Sequence, residues 1–126
     1  MTLFSSGEFH LHSGNISTFK IDCDHLADED IRTLAKIISQ RMSFGRVVGI
    51  PTGGDRLAKE LEKYSNTYYN PMILIVDDVL TTGSSMEEVR NKYPRPFVKG
   101  VVIFSRGECP DWITPIFQIS KELYDI

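Results

Sequence analysis

The sequence predicts an α/β domain, a parallel sheet flanked by helices, with a small hairpin at its amino-terminal end. Three observations predict it. Strand-like and helix-like patterns alternate along the chain, the signature of a parallel sheet with crossover helices. Met72 to Val76 is apolar at five successive positions, as a central parallel strand buried on both faces requires. That strand leads into two acids and a run of hydroxyl residues, and ligands of such sheets bind beyond the carboxyl ends of the strands.

Each element follows in order. Phe9 to Asp22 alternates with period two, with Phe9, Leu11, Phe19 and Ile21 facing inward and Ser13-Gly14-Asn15 as the turn of a hairpin. Ile31, Leu34, Ala35 and Ile38 sit at helical spacing. Asp28, Glu29 and Asp30 suit the positive end of that helix and Arg41 its negative end. Gly45 breaks the pattern, and Val47 to Ile50 reads as a short buried strand. Pro51 to Gly54 is a turn, and Asp55 caps a helix running to about Tyr64, with Leu57, Ala58 and Leu61 toward the core. Ser65 to Pro71 connects to the strand at Met72. Asp77 to Ser85 reads as a loop, followed by a short helix to about Lys92. Val98 to Phe104 and Ile116 to Ile119 are the remaining strands. Three loops then flank one edge of the sheet: Pro51 to Arg56, Asp77 to Ser85 and Ser105 to Asp111.

Composition narrows the function. The 126 residues, 41% hydrophobic, suit one domain with a real core, not a disordered chain. Net charge is −3, which disfavours a nucleic-acid binder working by bulk electrostatics. Apolar runs fall far short of the ~20 residues of a membrane span. The first residues show neither a basic nor a long apolar signal region, so Cys23 and Cys109 read as reduced thiols of a cytoplasmic protein. Neither G-x-x-x-x-G-K-[ST], G-x-G-x-x-G nor G-x-S-x-G occurs. The Ile-Val-Asp-Asp string also occurs in phosphorelay receivers, but there it opens the chain, and too few residues follow Asp78 for that layout.

The segment Ile73 to Ser85 carries the chemistry. Successive backbone N–H groups opening a helix attract an anion, and Gly83 permits close approach. Thr81, Thr82, Ser84 and Ser85 add neutral donors, and no lysine is present, so the loop suits a phosphate monoester. Asp77 and Asp78 repel phosphate directly; they make sense a few ångströms away, on sugar hydroxyls or a divalent cation. The combination points to a ribose 5-phosphate. The bland alternative is a capping turn with two solvated acids.

This string resembles the phosphoribosyl-pyrophosphate (PRPP) motif of the type I phosphoribosyltransferases. The resemblance implies that Asp77 and Asp78 engage the ribose hydroxyls and that Thr81, Thr82, Gly83, Ser84 and Ser85 hold the 5-phosphate. It implies Mg²⁺ as cofactor, PRPP and a nitrogenous base as ligands, and a homodimer, with neither nucleic acid nor membrane as partner. Other segments are similar to the orotate branch. Phe9 to Gly14 with Phe19 to Asp22 resembles its hood, which places residues 1–24 as hood and 25–126 as core of a single domain. Gly49 to Gly54 resembles the pyrophosphate loop, assigning Thr52, Gly53, Gly54 and Arg56 to pyrophosphate. Ser105 to Glu108 resembles a segment whose arginine contacts the orotate carboxylate, assigning Arg106, with His12 in the hood, to the base. The implied activity is transfer of ribose 5-phosphate to a base, orotate-like first, with pyrophosphate released.

The resemblance is to a shortened form. The family's flexible basic loop is reduced to Ser65 to Pro71, which holds no basic side chain, and Ser105 and His12 stand where an acid and a lysine are usual. Charge must be balanced where pyrophosphate departs, so a non-catalytic PRPP- or nucleotide-binding module, or a regulatory subunit, stands as the alternative. Arg56 reads equally as a solvated first-turn residue and Arg106 as a surface ion-pair partner. Trp112 suits base stacking or packing, and Tyr68 and Tyr69 a dimer contact or packing. His10 and His12 have a chelating spacing, but no neighbouring acid or cysteine completes a metal site.

Overall fold

The computed structural model describes residues 3–10, 16–66 and 68–119. Strands β1 (Phe4–His10) and β2 (Ile16–Ile21) pair antiparallel as the expected hairpin. Leu11 and the turn at residues 13–15 lie outside the described residues, as does His12. Ile21 is buried, and Asp22 N donates to Leu3 O, closing the base of the hairpin. A one-turn 3-10 helix at Cys23–His25 then leads to helix α1 (Asp28–Arg41). Its predicted stripe is the buried one: Ile31, Leu34, Ala35 and Ile38. Asp30 accepts from Ala27 N at 2.9 Å, satisfying an amide that helix geometry leaves orphaned.

The main sheet has the order β3-β4-β5-β6, all parallel: Arg46–Gly49, Ile73–Leu80, Val98–Arg106 and Ile113–Ile119. Helix α2 (Asp55–Leu61) links β3 to β4, and helix α3 (Ser84–Arg90) links β4 to β5. Helices α1 and α2 cover one face, where Ile38, Leu57 and Leu61 meet Leu74, Val76, Val101 and Ile103. Helix α3 covers the other, where Met86 meets Ile75, Val98, Val102 and Ile113. Each such side chain taken from water stabilises by roughly 1.5–3 kcal/mol. Helices α2 and α3 leave on opposite faces, and the loops after β3 and β4 lie side by side at the carboxyl edge of the sheet.

Several boundaries differ from the sequence reading. Strand β4 continues through both acids to Leu80, because Asp77, Val79 and Leu80 pair with Val102, Phe104 and Ser105. Helix α2 ends at Leu61 and tightens into a 3-10 turn over Glu62–Tyr64. Gly54, not Asp55, is its N-cap residue. Helix α3 stops at Arg90, and β6 starts three residues earlier than expected. Residues 107–112 alone return the chain from the end of β5 to the start of β6. They turn at Gly107, where φ is 92°, and again before β6, where Ile113 N donates to Pro110 O at 3.0 Å, with no room for a crossover helix. Trp112 and Cys109 from this stretch pack on the α3 face, doing the covering work of a helix. Among the described residues, no helix is long and apolar enough to cross a membrane.

Candidate active site

The carboxyl ends of β3 and β4 bring two of the predicted segments together. After β3 the chain turns tightly: Gly54 N donates to Ile50 O at 2.8 Å and Asp55 N to Thr52 O at 3.1 Å, and the Pro51–Thr52 peptide is cis. Ile50 N in turn donates to Val76 O at 2.9 Å, tying this loop to β4. A Cβ at Gly53 would lie 2.5–2.6 Å from the carboxylate atoms of Asp78, so that carboxylate would have to move to admit one. Gly53 and Asp78 are therefore in direct apposition, the β3 loop against the acid pair.

Asp77 and Asp78 are both half-buried. Asp78 N donates to Asp77 Oδ1 at 2.8 Å, and Val79 N to Asp78 Oδ1 at 2.7 Å. Burial, followed by the adjoining Asp78 carboxyl, pushes the Asp77 carboxyl up to about 7, although the Asp78 amide pulls it down. At neutral pH this acid holds part of a proton. The Cys23 thiol is pushed up to about 12, first by burial and then by the charge of Asp78.

The hydroxyl loop follows directly. Gly83 has φ 81°, a left-handed conformation that side chains resist, and it turns the chain into α3. Thr82 Oγ1 lies 3.0 Å from Ser84 Oγ, and Ser84 N reaches Thr82 Oγ1 at 3.4 Å. Thr81, Thr82, Ser84 and Ser85 are exposed, while Leu80 and Met86 are buried beneath them. A cavity of about 170 Å³ lies here, bounded by Asp77 and every residue from Val79 to Met86. Its polar lining is one carboxyl, hydroxyls and backbone amides, with no lysine or arginine.

The remaining predicted residues divide. Thr52 is exposed in the β3 loop. Arg56 is turned to the start of α1: its Nη2 donates to Leu26 O at 2.9 Å and to Asp28 Oδ1 at 3.0 Å. Arg106 ends β5, half-buried beside Ile119. The turn after it is held by side chains that sequence reasoning missed. The fully buried Ser105 donates to Gly107 O at 2.9 Å and accepts from the Cys109 thiol at 3.1 Å, and Gln118 Nε2 also donates to Gly107 O. Trp112 is a packing residue: it lies at the opposite end of the sheet, against Gly100, with Nε1 donating to Glu87 Oε1 at 2.7 Å and the Arg90 guanidinium 4.7 Å over its ring. Among the described residues, no group of three or more His, Cys, Asp or Glu could hold a metal by itself.

No protein-family model and no curated protein matches the chain. Solved structures do. The chain is similar to orotate phosphoribosyltransferase from Aeropyrum pernix, at 25% identity and TM-score 0.71, over 92% of this chain and 88% of that one. It is similar to UMP synthase from Leishmania donovani at 19% identity and TM-score 0.70, over 93% of this chain but 34% of that one. Orotate phosphoribosyltransferase from Francisella tularensis aligns at 16% identity and TM-score 0.60, over 92% of this chain and 80% of that one. With four parallel strands, helices on both faces and the shortened link 65–72 before β4, the chain carries the type I phosphoribosyltransferase fold in a reduced, orotate-type form.

Proposed function

We propose that the chain is a phosphoribosyltransferase that takes PRPP as donor and an orotate-like pyrimidine as first-choice acceptor. The observation that carries this reading is the apposition of Gly53 with Asp78, immediately before the hydroxyl-lined cavity. Three ligand parts then find three partners. The amides and hydroxyls of Thr81 to Ser85 hold the 5-phosphate, Asp77 and Asp78 accept from the ribose hydroxyls, and the backbone at Thr52, Gly53 and Gly54 faces pyrophosphate. Arg106 reads a carboxylate on the base, with His12 of the hood as a second base contact.

In the reaction the bond from the anomeric carbon to pyrophosphate breaks, and its electron pair leaves with pyrophosphate. Positive charge develops on the ribose, where Asp77 and Asp78 offset it. The base nitrogen forms the new bond and gives up its proton. Holding both reactants in line supplies much of the rate. Two adjacent carboxylates are hard oxygen donors of the kind Mg²⁺ accepts when substrate phosphates complete its shell, so Asp77 and Asp78 fit that cofactor. When bound, Mg²⁺ neutralises charge on the pyrophosphate. A homodimer working in the cytoplasm completes this reading.

One observation favours a second reading, a PRPP- or nucleotide-binding module without turnover: the Arg56 guanidinium is engaged by Leu26 and Asp28, and the link 65–72 brings no cation. One experiment separates the two. PRPP is titrated calorimetrically with Mg²⁺, then incubated with orotate, uracil and hypoxanthine while pyrophosphate is measured. Pyrophosphate release with one base supports the transferase; binding without release supports the module; no binding at millimolar PRPP overturns both.

A further inference from the structure

We propose that the end of the sheet opposite the candidate active site binds single-stranded nucleic acid, an inference independent of the transferase reading. The net charge of −3 conceals a strong segregation. Asp22, Asp24, Asp28, Asp55, Asp77 and Asp78 stand toward the carboxyl ends of the strands, where α1 and α2 begin. Arg41, Arg46, Lys92, Arg95 and Lys99 stand at the amino ends, all exposed. The acids in the segments that form this end are Glu60, Glu62, Glu87, Glu88 and Asp111; Glu60 is paired with Lys63 at 2.7 Å and Glu87 with Arg90 at 3.5 Å, which leaves Arg41, Arg46, Lys92, Arg95 and Lys99 in excess.

The same end gathers exposed rings. Tyr68 and Tyr69 are 81% and 84% exposed, and Tyr64 and Phe97 are also exposed there. The two tyrosines meet edge to face, with centroids 4.8 Å apart. Their link is fixed against the residues before β3: Asn66 N donates to Phe44 O at 2.9 Å, and Asn70 Nδ2 to Ser43 Oγ at 2.8 Å. Beside it the Arg46 guanidinium lies 5.5 Å from the centre of the Tyr93 ring. The Tyr68–Tyr69 pair and the Arg46–Tyr93 pair thus stand at the same end of the sheet, rings and a guanidinium together.

The chemistry selects the occupant. Rings that stand out from the surface stack on bases, and guanidinium and ammonium groups beside them pair with phosphates. Among the described residues every exposed large hydrophobic side chain is aromatic, so each offers a flat face on which a base can stack. A second copy docked by two-fold symmetry would set these like charges against one another. The acidic opposite end keeps a polyanion to this end.

The test is fluorescence anisotropy with a labelled oligouridylate of about 12 nucleotides, within the site sizes of such surfaces. Binding is expected at low salt, with log affinity falling linearly against log salt. Replacing Tyr68 and Tyr69 together by Ala should weaken it at least tenfold with circular dichroism unchanged. R46Q should lower the salt slope. Asp77→Asn with Asp78→Asn should leave oligonucleotide affinity unchanged. No binding at low salt overturns the proposal, as do full affinity in the double tyrosine variant and displacement by PRPP. Equal affinity for a poly-glutamate peptide overturns it in favour of an acidic protein partner.

Discussion

Arg56 and Asp28, 28 residues apart, meet through Nη2 and Oδ1 at 3.0 Å, and the same nitrogen also reaches Leu26 O. This contact ties the first turn of α2, directly after Gly53 and Gly54, to the corner where the hairpin segment enters α1. The ion pair itself is open to solvent and worth little; the bond to the part-buried Leu26 carbonyl matters more. Arg56→Ala is expected to cost about 1 kcal/mol, roughly 4 °C in Tm, and Asp28→Ala clearly less. Thermal unfolding of both variants beside PRPP titration checks this. Unchanged Tm with tenfold weaker PRPP binding would return Arg56 to the pyrophosphate.

Gly53→Ala should weaken ligand binding by roughly a hundredfold while leaving the fold intact. The new methyl overlaps the Asp78 carboxylate, so either the loop or the acid must shift. A displacement on the order of 1 Å in a positioning group costs roughly a hundredfold. Calorimetric PRPP affinity, with circular dichroism as the fold control, decides it.

The Asp77 carboxyl, pushed up to about 7 by burial, makes the free protein less stable as pH rises. Its folded value lies above its unfolded one, so the folded state holds more protons between about pH 4 and 7. Stability is full below about 4, falls across that window and levels above 7. Asp77→Asn should flatten this slope and, at pH 7.5, raise Tm by roughly 4 °C, about 1 kcal/mol once solvent screening is allowed for. Denaturation curves from pH 4 to 8 test it; an unchanged slope would place the proton elsewhere.

Trp112→Phe should affect stability alone. It removes the donor to Glu87 and part of the surface covering Gly100. The expected loss is about 1–2 kcal/mol, read from urea unfolding, with PRPP and base affinities unchanged. Weakened base binding would put the indole back in the site.

What was legible in the sequence was what is contiguous in it. Asp77 to Ser85 holds its acids, hydroxyls and glycine in one register, so the chemistry could be read from neighbours, and the strand and helix order followed from periodicity. The Arg56–Asp28 contact was not legible, because no local pattern marks two residues that only the packing of α2 on α1 brings together. The extension of β4 through Asp77 and Asp78 depended on backbone pairing with β5, which overrides the low strand preference of aspartate. Ser105 looked like a departure from an acid and is instead the buried hub of the turn after Arg106. Charge segregation was hidden because composition sums what the fold sorts.

The order β3-β4-β5-β6 repeats the order of synthesis. No strand has to be threaded between two that are already paired. As the chain leaves the ribosome, each strand meets a partner made just before it, and the loops to be closed stay short. The β3–β4 ladder, which ends at Gly49 and Val76, needs only those two strands. The acid pair, which joins the sheet only through β5, is therefore set in place when β5 arrives, and the same strand brings in Arg106 at its end.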